Sequence, residues 1–252
     1  MISFFVIAKI SFLEILRDRF FLVLLLFSVL LLALSLVLGG LSFAEQRRIL
    51  VDLGMASIHV FTVVVALFLG ALSLRREIEK QTYTTVLVRP LSRAHFLLGK
   101  WLGLALLLLL SVALLSTVLA FLLGVGGAQA LPAIAWGVVI ESLVLLALAF
   151  FFSSFLRPFV AIFSSMGIYL IGHWHQEMAF FANQSGSTAF EALAWVVGFT
   201  TPNLQFFNFR YFSYFEQGVS RGELITAGLH GSAWIGLLLL LAIFIWEKKD
   251  LV

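Results

Sequence analysis

The 252-residue chain contains no cysteine and only four prolines. Without thiols it can form no disulfide, thiolate metal site or cysteine nucleophile. The redox compartment stays open. Charge is scarce as well: Asp, Glu, Lys and Arg supply 12% of the residues, against about a quarter in soluble domains. Several enzyme signatures are missing too. No Gly-x-x-x-x-Gly-Lys-Ser/Thr phosphate loop occurs, and Gly99-Lys100 lacks the upstream glycine and the following hydroxyl. The polypeptide is therefore not expected to bind ATP. Neither a Gly-x-Ser-x-Gly elbow nor a His-Glu-x-x-His pair is present, which argues against an intramembrane protease. No repeat of fixed period is evident. The net charge of +3 is not gathered into a basic stripe interleaved with aromatics, so nucleic acid is not an expected partner.

Apolar side chains dominate instead, at 62% of the chain. A bilayer core about 30 Å thick takes roughly 20 apolar helical residues. Six stretches approach this description: 20–38, 55–74, 101–123, 133–155, 159–171 and 225–246. The fold expected is all-α and polytopic, a single transmembrane domain over residues 1–252. The first run is longer than the core of a signal peptide and reads as a retained span. The fifth is the shortest, stopping at Ile171 before Gly172 and His173. Residues 173–222 are mixed, with an aromatic group at Phe206, Phe207, Phe209, Tyr211, Phe212, Tyr214 and Phe215. Aromatics gather where lipid meets water, so this stretch is expected to form one or two short helices at the outer interface.

Ahead of the first span, residues 3–19 show a moderate two-sided pattern at 100° per residue. Ser3, Ser11, Glu14, Arg17 and Asp18 share one arc, and Phe4, Phe5, Phe12, Leu13, Ile15 and Leu16 share the other. An interfacial helix is expected. With six spans and a cytoplasmic amino terminus, twelve cations fall inside and four (Arg47, Arg48, Arg210 and Arg221) outside. The positive-inside rule then places both termini in the cytoplasm.

Residues 75–100 hold eight of the 29 charged residues. A short helix is expected through Glu79 and Lys80, then an apolar triplet, Val86 to Val88. Pro90 closes any helix near Arg89, and Ser92 can cap a new one running through Lys100 into the third span. Such a helix–turn–helix offers charges and an apolar knob to a partner's groove.

The order Glu-Lys-x-Thr, apolar triplet, Arg-Pro-Leu-Ser-Arg, then Leu-Gly-Lys before a long span resembles the membrane subunits of ABC-2 type ABC transporters. It is similar in particular to permeases grouped with the copper-enzyme maturation system of nitrous oxide reductase. The matching positions are Glu79, Lys80, Thr82, Arg89, Pro90, Ser92, Arg93, Gly99 and Lys100; Gln81 departs from the family's usual glycine. The resemblance implies an exporter subunit of a bacterial or archaeal cytoplasmic (inner) membrane. Its implied partners are a separate ABC ATPase subunit, a second copy of itself or a similar permease, membrane lipid, and an accessory protein on the periplasmic or extracellular side. It implies no cofactor. The elbow helix and residues 77–90 would dock the ATPase, with Glu77, Glu79, Lys80, Thr82, Arg89, Pro90, Ser92, Arg93 and Lys100 as coupling residues.

Glu141 is the only Asp, Glu, Lys or Arg inside an expected span, and a charge there should face protein or water. Glu141 and His59 are candidates for a pathway wall or a dimer contact, with structural burial as the alternative. His173, His175 and Glu177 form an outer-side cluster in which a zinc or copper site is imaginable. Residues two apart face different sides of a helix, however, and no third ligand is evident, so no metal is assigned. Two other function classes stay open: a membrane-integral enzyme built on Glu141, His59 or the His173 group, and a non-transporting assembly or anchor subunit.

Overall fold

The computed structural model describes residues 2–41, 46–79, 92–124, 130–210 and 219–248. Regular structure among them is entirely helical. The helices are α1 (Ile2–Leu16), α2 (Arg19–Leu41), α3 (Gln46–Glu79), α4 (Arg93–Leu123), α5 (Leu131–Ser153), α6 (Pro158–His173), α7 (His175–Ser185), α8 (Thr188–Thr200) and α9 (Arg221–Lys248), with one 3-10 turn at Leu204–Phe207. Helix is the form expected in lipid, because it satisfies every backbone N–H and C=O internally.

Among the described residues, five helices are long and apolar enough to cross a membrane: α2, α3, α4, α5 and α9. Their burial sorts them. In α3 and α5 the apolar windows are 67% and 72% buried, in α2 and α9 only 22%. α3 and α5 therefore form the centre, and α2 and α9 turn leucines, valines and phenylalanines outward. α5 shows how complete the enclosure is, with Val144 to Ala147, Ala149 and Phe150 all fully buried.

α6 departs from a full span. Its 16 residues reach about 24 Å, short of a core about 30 Å thick. It starts at Arg157-Pro158, with Arg157 extended (φ −69°, ψ 151°) and Pro158 in the first helical turn. α3 is longer than the sequence pattern indicates. Arg47, Arg48 and Asp52, between the first two expected apolar stretches, lie within its first two turns. Leu50 is buried there, 3.2 Å from where a Cβ on Gly39 would sit, so packing of α2 on α3 carries the helix past the apolar run.

α1 also differs from the expected face. It lies along α4, with Ala8, Ser11 and Ile15 buried and Phe5, Leu13 and Leu16 exposed. Ser11 had been assigned to the polar arc. The fit depends on Gly99 and Gly103, four residues apart on α4. A Cβ on Gly103 would lie 2.5 Å from the Ala8 carbonyl oxygen and 2.8 Å from Ser11 Cβ; one on Gly99 would lie 3.0 Å from Ile7. Small residues spaced this way let helix backbones approach closely in membranes. The Gly-Lys punctuation before the third span thus has a packing cause.

Candidate functional site

Two groups of polar side chains stand out from the apolar bundle. The first gathers at the end where α4 begins. Ser92 caps α4 as expected, its Oγ accepting the His95 backbone N–H at 3.3 Å. Arg93 donates to the Trp246 and Glu247 carbonyls at 3.2 and 3.3 Å, so a cation sits on the last turn of α9, where the helix dipole favours it. Lys100 departs from the docking surface pictured for it. It is buried, and its Nζ donates to the Ser73 carbonyl of α3 at 3.3 Å. Its stem faces the cavity wall formed with Ser11, Ile15 and Leu104, and its ammonium ties α4 to α3. Glu77 and Glu79 belong to the last turns of α3. Lys80, Thr82, Arg89 and Pro90 lie outside the described residues.

The second group is buried within the bundle. Glu141, on α5, is 3% exposed. Its Oε1 lies 3.0 Å from His59 Nε2 on α3 and 3.5 Å from His173 Nε2 at the end of α6. Three helices thus bring one carboxylate and two imidazoles together. They border a cavity of about 170 Å³ shared with Tyr169, Asn208 and Arg210. Arg210 reaches back to α3, donating to the Met55 carbonyl at 3.1 Å. His173 is oriented by its other nitrogen: Nδ1 lies 3.1 Å from the Tyr169 carbonyl. A carbonyl only accepts, so Nδ1 carries the proton and Nε2 faces Glu141.

Glu141 and His59, named as separate candidates from the sequence, are in direct contact. The grouping of His173 with His175 and Glu177 is not realised. His173 ends α6 and joins Glu141, whereas His175 starts α7 and its Nε2 lies 2.7 Å from Thr201 Oγ1. Burial, with His230 nearby, pushes the His175 imidazole below its usual range. Glu177 accepts from Gln205 Nε2 at 3.0 Å, and the same nitrogen donates to the His173 carbonyl. The break between α6 and α7 at Trp174 sends the three side chains to different partners. Of the aromatic stretch, Phe207 and Phe209 are buried against the centre and Phe206 is exposed, while Tyr211, Phe212, Tyr214 and Phe215 lie outside the described residues. Phe207 packs where α5 offers Gly137, whose missing Cβ leaves room for the Phe207 carbonyl. The interface-anchor reading therefore fails for Phe207 and Phe209.

Sequence reasoning missed His173 as a partner of Glu141. Helix rise could have found it. Counted at 1.5 Å per residue from the ends of the expected apolar stretches nearest residues 75–100 (Leu74, Phe155 and Phe159), His59, Glu141 and His173 stand about 22, 21 and 21 Å up.

A family model described as ABC-2 family transporter protein matches residues 5–251. The match is to that family and does not distinguish the nitrous oxide reductase maturation group. No curated protein matches the chain.

Proposed function

This chain belongs to the ABC-2 family of transporter proteins, and on that premise we propose that it is the transmembrane subunit of an exporter driven by a separate ABC ATPase. It is a multi-pass membrane protein. In our reading α6 completes a sixth pass, both termini are cytoplasmic, the membrane is a bacterial or archaeal inner membrane, and two copies pair. Residues 77–90 with α1 form the handle that the ATPase moves. The lack of a phosphate loop leaves nucleotide chemistry to the partner.

The observation that carries this reading is the linkage of helices around the handle. α1 packs into the Gly99/Gly103 face of α4, Lys100 ties α4 to α3, and Arg93 ties α4 to α9. A displacement delivered between α3 and α4 would thus reach four helices through these contacts. A loop tethered only by its cations would require none of these ties.

Co-expression with the cognate ABC ATPase tests the proposal. The two should co-purify, and the permease should alter ATP turnover. Charge reversal at Glu79 and Arg89 (Glu79→Lys, Arg89→Glu) should release the ATPase while leaving the melting temperature of the membrane subunit unchanged. Undiminished co-purification of the double reversal would refute the handle.

A further inference from the structure

We propose that His59, Glu141 and His173 form a binding site for one divalent ion of the zinc(II) class, held between α3, α5 and α6. The ligand atoms of the three residues all lie within 4.8 Å of one another, with carboxylate-to-imidazole separations of 3.0 and 3.5 Å. A tetrahedral zinc ion with bonds of about 2.0–2.1 Å spaces its ligand atoms roughly 3.3 Å apart. The two shorter separations lie close to that spacing, and the third is within 4.8 Å.

The orientation of His173 supplies an independent argument. Its Nδ1 proton is committed to the Tyr169 carbonyl, which leaves Nε2 as the nitrogen that faces the Glu141 carboxylate and is placed to ligate. An imidazole whose other nitrogen donates to a backbone carbonyl is also the usual way in which a metal-ligating histidine is aimed. A carboxylate at this depth is costly without positive charge nearby, and Arg210 on the same cavity already supplies some of it beside the proposed ion.

The donor set selects the ion. Two imidazoles and one carboxylate suit zinc and its divalent neighbours; calcium and magnesium take oxygen ligands, and copper(I) prefers sulfur. Three protein ligands leave a fourth position, and that position opens towards the 170 Å³ cavity bordered by Asn208 and Arg210. Arg210 adds positive charge there, so a hydroxide or carboxylate is favoured as the fourth ligand over neutral water. The site is independent of ATPase docking and stands or falls separately from it.

The test uses the full chain, purified in detergent, stripped with chelator and titrated with cobalt(II), followed by zinc(II) displacement. One equivalent of cobalt giving a tetrahedral d–d spectrum that zinc bleaches is the expected result. His59→Ala, His173→Ala and Glu141→Gln should each weaken binding at least about tenfold, whereas Glu177→Gln should not change it. A folded wild-type chain that binds no stoichiometric cobalt or zinc overturns the proposal whatever the variants do. Binding that survives His59→Ala and Glu141→Gln but is lost in Glu177→Gln overturns it as well, by placing the metal on the α7 side.

Discussion

Replacing Gly103 by alanine is the most direct test of how α1 is held. The new Cβ would sit 2.5 Å from the Ala8 carbonyl oxygen, 2.8 Å from Ser11 Cβ and 3.1 Å from the Phe12 nitrogen. Backbone atoms on both sides leave no side chain to swing away, so α1 must retreat by nearly an ångström. A gap of 0.5–1 Å forfeits about a quarter to a half of each dispersion contact along the seam. Overpacking of this kind costs about 1–3 kcal/mol, which is roughly a fivefold to hundredfold shift in the population of docked α1. Gly167 and Gly236 are internal controls, because nothing lies within 4 Å of a Cβ at either position. There the same substitution should be neutral or stabilising by up to about 1 kcal/mol, from helix propensity alone. Thermal unfolding of the purified chain in detergent would read all three. The absence of native cysteine also permits a disulfide between single cysteines placed on α1 and α4 as a measure of docking. Gly103→Ala melting at or above wild type, with undiminished cross-linking, would refute the close-packed seam.

Glu141→Leu should destabilise the bundle by about 1–3 kcal/mol, since it strands the His59 and His173 nitrogens beside the cavity; an unchanged melting temperature would show that the carboxylate contributes nothing to the fold. Glu141→Gln, assayed for transport in vesicles with the ATPase present, separates assembly from passage, and full transport with normal assembly would remove Glu141 from the pathway. Ser92→Ala should cost about 1 kcal/mol by uncapping α4, measured as faster amide exchange over its first turn; unaltered exchange would mean that the cap is idle. Arg93→Ala should loosen the last turn of α9 by a few tenths to 1 kcal/mol, visible as earlier exchange at 246–248 with the middle of the helix unaffected.

Hydropathy alone made the membrane class legible, because lipid leaves a chain so few options. The Ser92 cap was legible for a similar reason, being a local signal of a few residues. What escaped the sequence depended on partners distant along the chain. Ser11 is polar, yet it is small enough to lie against Gly103, and contact distance overrode the wheel. Lys100 was placed by charge in the cytosol, but the Ser73 carbonyl gives its ammonium a buried acceptor. His173 sits two residues from His175, and proximity in sequence suggested proximity in space; the break at Trp174 undid it. Phe207 and Phe209 had the composition of an interfacial belt, and only the space left by Gly137 shows why they turn inward.

The unbroken run of α3 makes it behave as a beam on a pivot. His59 and Glu79 stand about 30 Å apart along it. Gly70, near the midpoint, presses on Ala149 and Leu146, where an added Cβ would come within 2.9 and 3.0 Å. A rock of 5° about that point would swing each end by roughly 1.3 Å in opposite senses, given 1.5 Å of rise per residue. That swing is comparable to the slack in the 3.0 Å contact between His59 and Glu141. A small nudge at the Glu79 tip would then be felt, reversed in direction, at the far histidine.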